Sequence, residues 1–366
     1  MKTLLASRSL NCLLVGGIHD PDGVIEPWLP PSESFVVAPC RKLTSTLFWQ
    51  ANAVRVAFRR DIAVLIMLGN ANILSMWIAA IVGRLLGKRV LFWTHGWLRE
   101  EYGIRRWVRV LFYRLAHGLL LYGMRAKSIG IQNGFSETAL HVVFNSLDYH
   151  RQVAARQRVS VEKIREVRIQ LFGESNLPVL ICTSRLTGFR GLDFLLKTMA
   201  RLERTGVKTH LILVGDGPQR AQLSQMAREL NLSVYFQGAC YDEERLAELI
   251  MASDLTVVPG KIGLTVMHSL VYGTPVVTQD CPDDQGPEVE AIIPGETGDF
   301  FKPGDEVDLA RVIAKWVGDD MVRPRIREKS HAVIDRFYNP QYQEVVIARA
   351  ALGLPAHDSE PSRKAA

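Results

Sequence analysis

Two stretches of the sequence carry residues suited to binding a phosphorylated ligand. The first is Gly263-Leu264-Thr265, which follows an apolar run and begins a helical pattern. The first N–H groups of a helix lack acceptors within it, so these residues offer a site for an anion such as a pyrophosphate, and the Thr265 hydroxyl adds a donor. His268 follows one turn later, where it could reach a ribose or sugar hydroxyl. The alternative is a tight turn at Gly263 followed by a hydrogen-bonded core histidine.

The second stretch is the loop 183–191, which contains Arg185 and Arg190. It follows the apolar run 178–182, so we expect both arginines at the carboxyl end of a strand, beside the 263–265 amides. Two guanidinium groups next to a helix N-terminus would stabilise a diphosphate as it leaves. The alternative is a pair of solvated loop arginines.

Both stretches belong to an alternation of apolar runs and helical patterns that occurs twice along the chain. In the first half it predicts strands at 12–16, 35–38, 63–67, 89–93 and 118–122, with helices at 45–59, 73–86 and 104–116. In the second half it predicts strands at 178–182, 209–214, 233–236, 254–258 and 275–278, with helices at 191–204, 217–229, 242–251, 264–272, 305–317, 321–337 and 340–352. This pattern is typical of parallel sheets covered on both faces. We therefore predict an α/β chain of two Rossmann-like, doubly wound parallel-sheet domains that face a cleft, with ligands at the strand carboxyl ends.

The length of 366 residues, of which 48% are hydrophobic, exceeds that of one ordinary domain and excludes a disordered, collagen-like or coiled-coil protein. We predict a first Rossmann-like domain over 1–168, a second over 169–336, a helix at 337–353 that returns to the first domain, and a disordered tail at 354–366. The five cysteines are scattered without a C-x-x-C pair. That argues for a reducing compartment and against a structural zinc site or a disulfide framework.

One uncharged segment, 62–83, is long enough to span a bilayer. The polar sequence Gly69-Asn70-Ala71-Asn72 lies inside it. We therefore interpret the segment as a strand, a polar loop and a helix rather than as a membrane span.

The first half contributes further candidates for the same site. Gly16 and Gly17 follow the first predicted strand, in a loop that continues through residues 18–20, and would admit a pyrophosphate or an acceptor. That loop lacks G-x-G-x-x-G, which argues against a nicotinamide dinucleotide. His95 follows the strand at 89–93 and would point into the cleft, where a neutral histidine can relay a proton. The alternative is a histidine packed between Trp93 and Trp97.

An ordered set of motifs over 178–302 resembles family 4 of the retaining glycosyltransferases, whose two-Rossmann-domain architecture is called GT-B. The motifs are Arg185-Leu186 with Arg190-Gly191, Leu213-Val-Gly-Asp-Gly-Pro218, Phe236-Gln-Gly238, Ala252-Ser-Asp-Leu-Thr-Val-Val-Pro259, Gly263-Leu264 and Gly273-Thr-Pro-Val-Val277. Across the first half the resemblance is looser, through Thr94-His95-Gly96, Tyr122 and Val143-Phe-Asn-Ser-Leu-Asp148. Cys240-Tyr-Asp-Glu243 and Gln285-Gly-Pro-Glu288 are similar to a bacterial surface-polysaccharide subgroup, as in lipopolysaccharide synthesis.

The resemblance implies transfer of a sugar from a UDP- or GDP-linked donor, with retention at the anomeric carbon, to a glycan or polyprenyl-diphosphate-linked acceptor. It implies no metal and no cofactor, because protein cations stabilise the diphosphate. Arg185 and Arg190 then hold the donor phosphates, and His95 contacts the transferred sugar or the acceptor. Gly238 lies among the backbone contacts to the nucleobase.

The sequence departs from the family at the Glu-x₇-Glu motif, whose two positions fall on Gly260 and His268. Candidates to replace the missing carboxylates are His268 itself, Lys261 and the acidic run 283–290, which includes Glu288. The loss of both carboxylates keeps open a non-catalytic nucleotide-sugar-binding subunit. A GT-B nucleotide-sugar epimerase or hydrolase is a further alternative.

The excess positive charge lies in the first half. Residues 1–150 carry 17 Lys/Arg and 9 Asp/Glu, or +8, whereas the remaining residues carry 27 and 29, or −2. A basic surface indicates an anionic partner. Nucleic acid is not favoured, because no recognition motif or aromatic stacking platform accompanies the charge.

Much of this charge surrounds one predicted helix. Its apolar residues recur on a single stripe, which comprises Ile104, Trp107, Val108, Leu111, Phe112 and Leu115. We expect most of the stripe to pack on the sheet. That packing would leave the arginines of the helix, at 105, 106, 109 and 114, free to meet anionic lipid head groups. We therefore predict a cytoplasmic protein, peripheral on the inner face of the cytoplasmic membrane.

Overall fold

The computed structural model describes residues 2–7, 9–18, 30–318 and 323–356. The predicted loop residues 19 and 20, residues 321–322 of a predicted helix and residues 357–366 of the predicted tail lie outside the described residues. The chain divides into two compact units. The first unit contains the described residues up to Phe144 and those from Pro340 onward, and the second contains those of Asn145–Asn339.

The first unit is built from short strands and the helices between them. Its strands are β1 (Leu14–Gly16), β2 (Phe35–Val37), β3 (Cys40–Lys42), β4 (Phe48–Gln50), β5 (Val64–Leu68), β6 (Arg89–Thr94), β7 (Gly118–Leu121) and β8 (Leu140–Val142). Its helices before residue 145 are α1 (Lys2–Leu5), α2 (Ala53–Phe58), α3 (Leu74–Leu85), α4 (Gly103–Tyr113) and α5 (Met124–Gln132).

The second unit alternates strands with longer helices. Its strands are β9 (Val179–Thr183), β10 (His210–Val214), β11 (Val234–Gly238), β12 (Leu255–Val258), β13 (Val276–Gln279) and β14 (Gly298–Phe301). Its helices are α6 (Tyr149–Arg158), α7 (Val161–Phe172), α8 (Leu192–Arg204), α9 (Arg220–Glu229), α10 (Glu243–Met251), α11 (Thr265–Val271), α12 (Glu306–Val317) and α13 (Arg323–Phe337). The last helix, α14 (Pro340–Ala351), belongs to the first unit.

The main sheet of the first unit is parallel, in the order β5-β6-β7-β8. Successive residues of a strand face opposite sides of the sheet. Phe92 accordingly lies in a core with α3 and α4, where its ring stacks on Phe112 at a centroid distance of 4.4 Å. Its neighbour Leu91 lies in a second core, with Ile347 of α14. Both faces are covered, which explains the continuous apolar runs of these strands. β1 and β2 form a separate parallel pair, and β3 and β4 an antiparallel pair.

In the described part of the second unit, six parallel strands form one sheet in the order β11-β10-β9-β12-β13-β14. The chain winds outward in one direction from β9 to β11 and in the other from β12 to β14. The order therefore reverses between β9 and β12. In doubly wound sheets the loops that follow the strands separate at this point and leave a crevice, which is the usual ligand site.

The predicted elements of the second half are confirmed. The largest difference in a boundary is at α9, which is predicted from residue 217 and begins at Arg220. In the first half, the helix predicted over 45–59 is wrong in its first part, where the β3–β4 hairpin lies. The hydroxyl oxygen of Thr44 accepts hydrogen bonds from the N–H groups of Thr46 and Leu47, which favours a turn over a helix.

The division between the units lies at Phe144/Asn145, whereas the sequence places a domain boundary at 168/169. The intervening helices pair with the second unit. Gln152 of α6 donates a 3.2 Å hydrogen bond to Glu243 of α10, and Arg168 of α7 forms an ion pair with Asp254, next to β12. Both helices therefore belong to the second unit.

The segment 62–83 forms β5, a turn and α3, which confirms its interpretation as strand, loop and helix. No helix within the described ranges is both long and apolar enough to cross a membrane. The expectation that the α4 stripe packs on the sheet is wrong for most of it: Ile104 and Trp107 are 81% and 64% exposed, and Val108 and Leu111 are also exposed. Among the described residues, α4 packs on the core from Val110 onward, mainly through Phe112 and Tyr113, whereas the apolar residues of its first turns are exposed.

Candidate donor-binding and catalytic site

The reversal point of the second sheet brings the two predicted phosphate-binding stretches together. The loop 184–191 follows β9, and the segment 259–264 follows β12, its neighbour in the sheet. Backbone hydrogen bonds join the two loops, because the N–H of Gly260 donates to the carbonyl of Arg190 at 2.9 Å and that of Lys261 donates to Phe189 at 3.0 Å. The expected proximity of the arginine loop and the 263–265 segment is therefore present.

Gly260 is required by the close approach of these loops. A Cβ atom at this position would lie 2.1 Å from the carbonyl oxygen of Phe189, which is closer than a nonbonded contact allows. This is the first of the two positions where the resemblance leads one to expect a glutamate. Here the backbone of the arginine loop fills the space that a side chain would need.

Arg190 is held inside the loop rather than solvated. Its guanidinium lies 5.0 Å from the Phe189 ring centroid and donates to the carbonyl oxygen of Lys261. Burial lowers the pKa of Arg190, although an arginine remains protonated at neutral pH. Its buried Nε finds no hydrogen-bond acceptor among the described residues. Arg185 is exposed, and its side chain makes no hydrogen bond within the described ranges.

The 263–265 segment leads into α11, a helix of seven residues. Its N–H groups at Gly263, Leu264 and Thr265 donate to no backbone acceptor in the part of the chain that the structure describes. The expectation for the Thr265 side chain is wrong, because its hydroxyl is buried and donates to the carbonyl of Thr183 at 2.8 Å. The backbone amides, and not that hydroxyl, are available to an anion.

Glu288 lies beside the same segment, on the turn Pro287–Ala291. Its carboxylate is 5% exposed, and Asn145 donates to its Oε1 at 2.8 Å. The other oxygen, Oε2, lies close to two glycines. A Cβ atom added to Gly263 would lie 3.8 Å from it, and a Cβ atom added to Gly286 would lie 2.4 Å from it. A buried carboxylate with one hydrogen-bonded oxygen can accept a second hydrogen bond from a ligand hydroxyl. Asn145 was not singled out in the sequence, since no local pattern connects it with Glu288.

His268 lies on α11 and contacts buried polar side chains of α6 and α10. Its Nδ1 is 3.3 Å from Nε2 of Gln152 and 3.9 Å from the carboxylate of Glu243, which also accepts a hydrogen bond from Tyr272. Burial lowers the pKa of His268, and the Glu243 carboxylate opposes that effect. The hydrogen-bonded alternative for His268 is therefore present, but its side chain is 27% exposed and is not enclosed in the core.

Gly238 ends β11, the edge strand two places from β9. Its φ of +80° is in the left-handed region, and its carbonyl accepts a 2.8 Å hydrogen bond from Gly215. Gly238 therefore lies at the same carboxyl edge as the arginine loop.

In the first unit, His95 follows β6 and is exposed, with its ring centroid 4.7 Å from that of Tyr122. The alternative of a histidine packed between two tryptophans is wrong, because Trp97 is buried against Tyr113 and Phe135. His95 is therefore available to a ligand at the carboxyl edge of its own sheet.

The loop that carries His95 is held by Arg109 of α4. The Arg109 guanidinium donates to the carbonyl oxygen of Gly96 at 3.1 Å and pairs with Glu101. On the other side, the hydroxyl of Thr94 accepts a 3.1 Å hydrogen bond from the N–H of Gly96. The expectation that Arg109 is free to meet lipid head groups is wrong, since helical periodicity does not show what a long side chain reaches.

Gly16 ends β1, and its carbonyl accepts a 2.7 Å hydrogen bond from Ala38. Gly17 follows and is exposed. Both lie at the carboxyl end of their strand. In the part of the chain that the structure describes, no group of three or more His, Cys, Asp or Glu side chains is arranged to hold a metal ion.

Residues 164–333, all within the second unit, match the family model of glycosyl transferases group 1. The second unit carries a glycosyl transferases group 1 domain. The chain is 29% identical over 170 residues to a lipopolysaccharide core biosynthesis glycosyltransferase, LpsE of Rhizobium meliloti, covering 46% of this chain and 47% of that protein. It is 30% identical over 166 residues to a GDP-mannose-dependent alpha-(1-6)-phosphatidylinositol monomannoside mannosyltransferase of Mycolicibacterium smegmatis, covering 42% and 41%. These matches therefore span less than half the length of the curated relatives.

Solved structures resemble the chain over both units. HepE of Anabaena in complex with UDP superposes with a TM-score of 0.67 at 21% identity, covering 87% of this chain and 86% of that one. Sucrose-phosphate synthase of Thermosynechococcus elongatus superposes with a TM-score of 0.57 at 19% identity, covering 80% and 73%. At such identities the likeness shows the fold. The predicted α/β GT-B fold class is confirmed.

Proposed function

We propose that this protein is a retaining glycosyltransferase of the family 4 type, which moves a sugar from a nucleotide-sugar donor to a glycan or lipid-linked acceptor in bacterial polysaccharide biosynthesis. The observation that carries the proposal is the meeting of the two loops that follow β9 and β12. Among the described residues, the buried Nε of Arg190 has no acceptor, and the backbone amides of 263–265 donate to no backbone acceptor. The group 1 domain and the names of the matched relatives support the same reaction class.

The donor is a UDP- or GDP-linked sugar bound by the second unit. HepE is described in complex with UDP and with UDP-glucose, and the matched mannosyltransferase is named as GDP-mannose-dependent. Gly238 contributes backbone contacts to the base, and the amides of Gly263, Leu264 and Thr265 contact the diphosphate. The first unit, with Gly16 and Gly17 at a strand end, binds the acceptor.

Charge develops on the diphosphate as the bond to the sugar breaks. Arg185 and Arg190 stabilise it, because a guanidinium is always protonated and its planar fork matches two phosphate oxygens. Fixed cations that face the leaving group lower the barrier without reorganising during the reaction. Protein cations therefore take the place that a metal ion has in other transferases.

Glu288 supplies the carboxylate that the Glu-x₇-Glu positions lack. Its free Oε2 accepts a hydrogen bond from a hydroxyl of the donor, and Asn145 fixes its orientation through the 2.8 Å bond to Oε1. His95 contacts the transferred sugar or the acceptor. His268, itself a residue of α11, pairs with Gln152 of α6 and ties the two helices together rather than touching the donor.

The acceptor is carried by a membrane lipid, and the protein is peripheral on the inner face of the cytoplasmic membrane. The net charge of +8 on residues 1–150 (17 basic against 9 acidic) supports this location. One observation favours the rival function of a non-catalytic nucleotide-sugar-binding subunit, namely the packing at Gly260, which leaves no room for a side chain there.

The test begins with a thermal-shift screen of UDP- and GDP-sugars, because a ligand that binds the folded state raises the apparent stability. The donor that binds is then labelled in its sugar and incubated with and without a bacterial lipid extract. The expected result is label in the lipid fraction, with the donor's anomeric configuration retained in the product by NMR. Free sugar or an epimerised donor would indicate a hydrolase or an epimerase, and binding without any turnover would indicate the binding subunit.

A further inference from the structure

The exposed stripe of α4 has a counterpart on α3. Along α3 the exposed apolar residues recur at intervals of four, three and four, which places them on one side of the helix. They are Leu74, Ile78, Ile81 and Leu85, of which the last is 82% exposed. An apolar stripe that faces solvent on a surface helix is unusual in a monomeric protein, because burying it is what normally holds such a helix in place.

The two helices lie next to each other in the first unit. The Trp77 ring of α3 contacts the Phe112 ring of α4 at 4.8 Å, and Arg84 donates a 3.2 Å hydrogen bond to the carbonyl of Leu115, just beyond α4. The stripes 74–85 and 104–111 therefore lie on neighbouring helices. We call them together the α3–α4 face.

The charges on the two helices are all positive. Helices α3 and α4, with the residue that follows α4, carry five arginines, at 84, 105, 106, 109 and 114, and no acidic residue, while Glu100 and Glu101 lie just before α4. The Glu101 carboxylate is neutralised by Arg109. At 3.6 residues per turn, Arg105 and Arg114 border the α4 stripe on opposite sides, and both are exposed.

We propose that the α3–α4 face docks on an anionic phospholipid bilayer, with the apolar side chains in the interfacial region and the flanking arginines on the lipid phosphates. An apolar stripe bordered by basic residues is the pattern of a helix that lies in the plane of a membrane interface. The inference rests on the proposed function only in that a lipid-linked acceptor is reached from this surface.

A second copy of the chain fits the face less well. In a symmetric pair the same patch meets itself, so the bordering arginines would face arginines across the interface. Interface cores are depleted in charged residues, and like charges opposite each other are repulsive. A bilayer of phosphatidylglycerol presents the complementary charge instead.

The experiment measures co-sedimentation of the full chain with vesicles of phosphatidylglycerol and phosphatidylcholine, and with vesicles of phosphatidylcholine alone. We expect binding to the mixed vesicles, weakened by salt. We expect the double variant Ile104→Ser/Trp107→Ser to bind at least about tenfold more weakly, and Arg105→Glu/Arg114→Glu to lose the preference for the anionic lipid. Matched controls are Val161→Ser and Arg201→Glu, exposed residues of the second unit that should bind like the parent.

Equal vesicle binding by the parent and by both double variants would overturn the proposal. A second result would also overturn it: the parent binds neither kind of vesicle but forms a concentration-dependent dimer, and the Ile104→Ser/Trp107→Ser substitutions abolish that dimer. Because vesicle binding is measured without a donor, its outcome is separate from that of the transferase assay. Transfer to a water-soluble acceptor analogue should be unchanged in the double variants, whereas transfer to the lipid extract should fall with vesicle binding.

Discussion

Arg109 forms a two-point ion pair with Glu101, in which Nε lies 2.6 Å from Oε2 and Nη2 lies 2.7 Å from Oε1. The remaining nitrogen of the guanidinium donates to the carbonyl of Gly96, next to His95. A helix of the α3–α4 face therefore also holds the loop that carries a proposed catalytic residue. The bidentate pair orients the guanidinium, and the guanidinium fixes the loop.

Arg109→Ala should lower kcat about tenfold or more, because an unfixed loop no longer presents His95 in one geometry. The KM for the donor should change little, since the donor binds the second unit. When His95 is already replaced by Ala, Arg109→Ala should have no further effect on kcat. A general loss of structure would instead lower kcat in that background as well. Arg106→Ala, on the same helix, is the control. Additive effects of the two substitutions would contradict a role through His95.

Arg185→Ala should reduce transfer by about 100-fold or more, because one cation is removed from the developing diphosphate charge. The side chain is exposed, so the melting temperature should remain that of the parent. Arg201→Ala removes an exposed arginine from α8 and should leave turnover unchanged. Steady-state kinetics and thermal unfolding of the three proteins check this, and full activity of Arg185→Ala would remove the residue from the mechanism.

Glu288→Gln keeps the shape of the side chain and removes its charge. We expect the KM for the nucleotide-sugar to rise about tenfold, because that is the effect of losing one hydrogen bond to a charged group. Titration of the variant with UDP or GDP alone tells which hydroxyl Glu288 binds. An affinity for the nucleotide equal to that of the parent indicates a hydroxyl of the transferred sugar, whereas a loss as large as that for the nucleotide-sugar indicates a hydroxyl of the ribose. The control, Glu229→Gln, alters an exposed carboxylate of α9. An unchanged KM in Glu288→Gln would exclude the carboxylate from the site.

Gly260→Glu places a carboxylate at the position where the resemblance leads one to expect it. The substitution should destabilise the second unit by about 3 kcal/mol or more, because its Cβ collides with the Phe189 carbonyl. Gly188→Ala, in the same loop, adds a Cβ that meets Gln219 at 3.7 Å and should be tolerated. Comparison of the two melting temperatures decides the matter. A stable, active Gly260→Glu variant would show that the loops separate readily.

His141 of β8 is buried, and neither ring nitrogen has a hydrogen-bond partner among the described residues. Burial, with the nearby charges of Arg89, Arg349 and Lys127, lowers its pKa from 6.5 to about 4. A base with a lowered pKa in the folded state binds fewer protons there than in the unfolded state. Unfolding is therefore favoured progressively as the pH falls from about 6.5 to about 4, by about 3 kcal/mol in total.

The measurement is denaturant unfolding of the parent and of His141→Gln across that pH interval. The variant should lose less stability than the parent as the pH falls. Its stability should still depend on pH to some extent because of His331, since burial also lowers the pKa of that residue to about 4. The neutral-pH stability of the variant is its own reference, so a general destabilisation does not affect the comparison. An identical pH dependence in both proteins would assign the effect to other groups.

Much of the fold follows from local patterns. Most strands and helices after residue 178 are apparent in the sequence because each apolar run is bounded by turn residues and each helix has its own period, but β14 was not predicted. The position of the arginine loop and the 263–265 segment at one edge of the sheet also follows, since parallel strands bring their carboxyl ends to one edge. The β3–β4 hairpin was missed because a few hydrogen bonds around Thr44 outweigh the helical pattern.

The sequence by itself determined the reaction chemistry that is available, namely two arginines and a row of free amides at one sheet edge. Only the tertiary structure showed that Glu288 is buried and bound by Asn145, because the two residues are 143 positions apart and no local pattern connects them. It also decided that Gly260 has no room for a side chain and that the α4 stripe is exposed. The physical reason is common to all three: burial and close contact depend on what packs against a residue, and a helical period shows only that residues share a face.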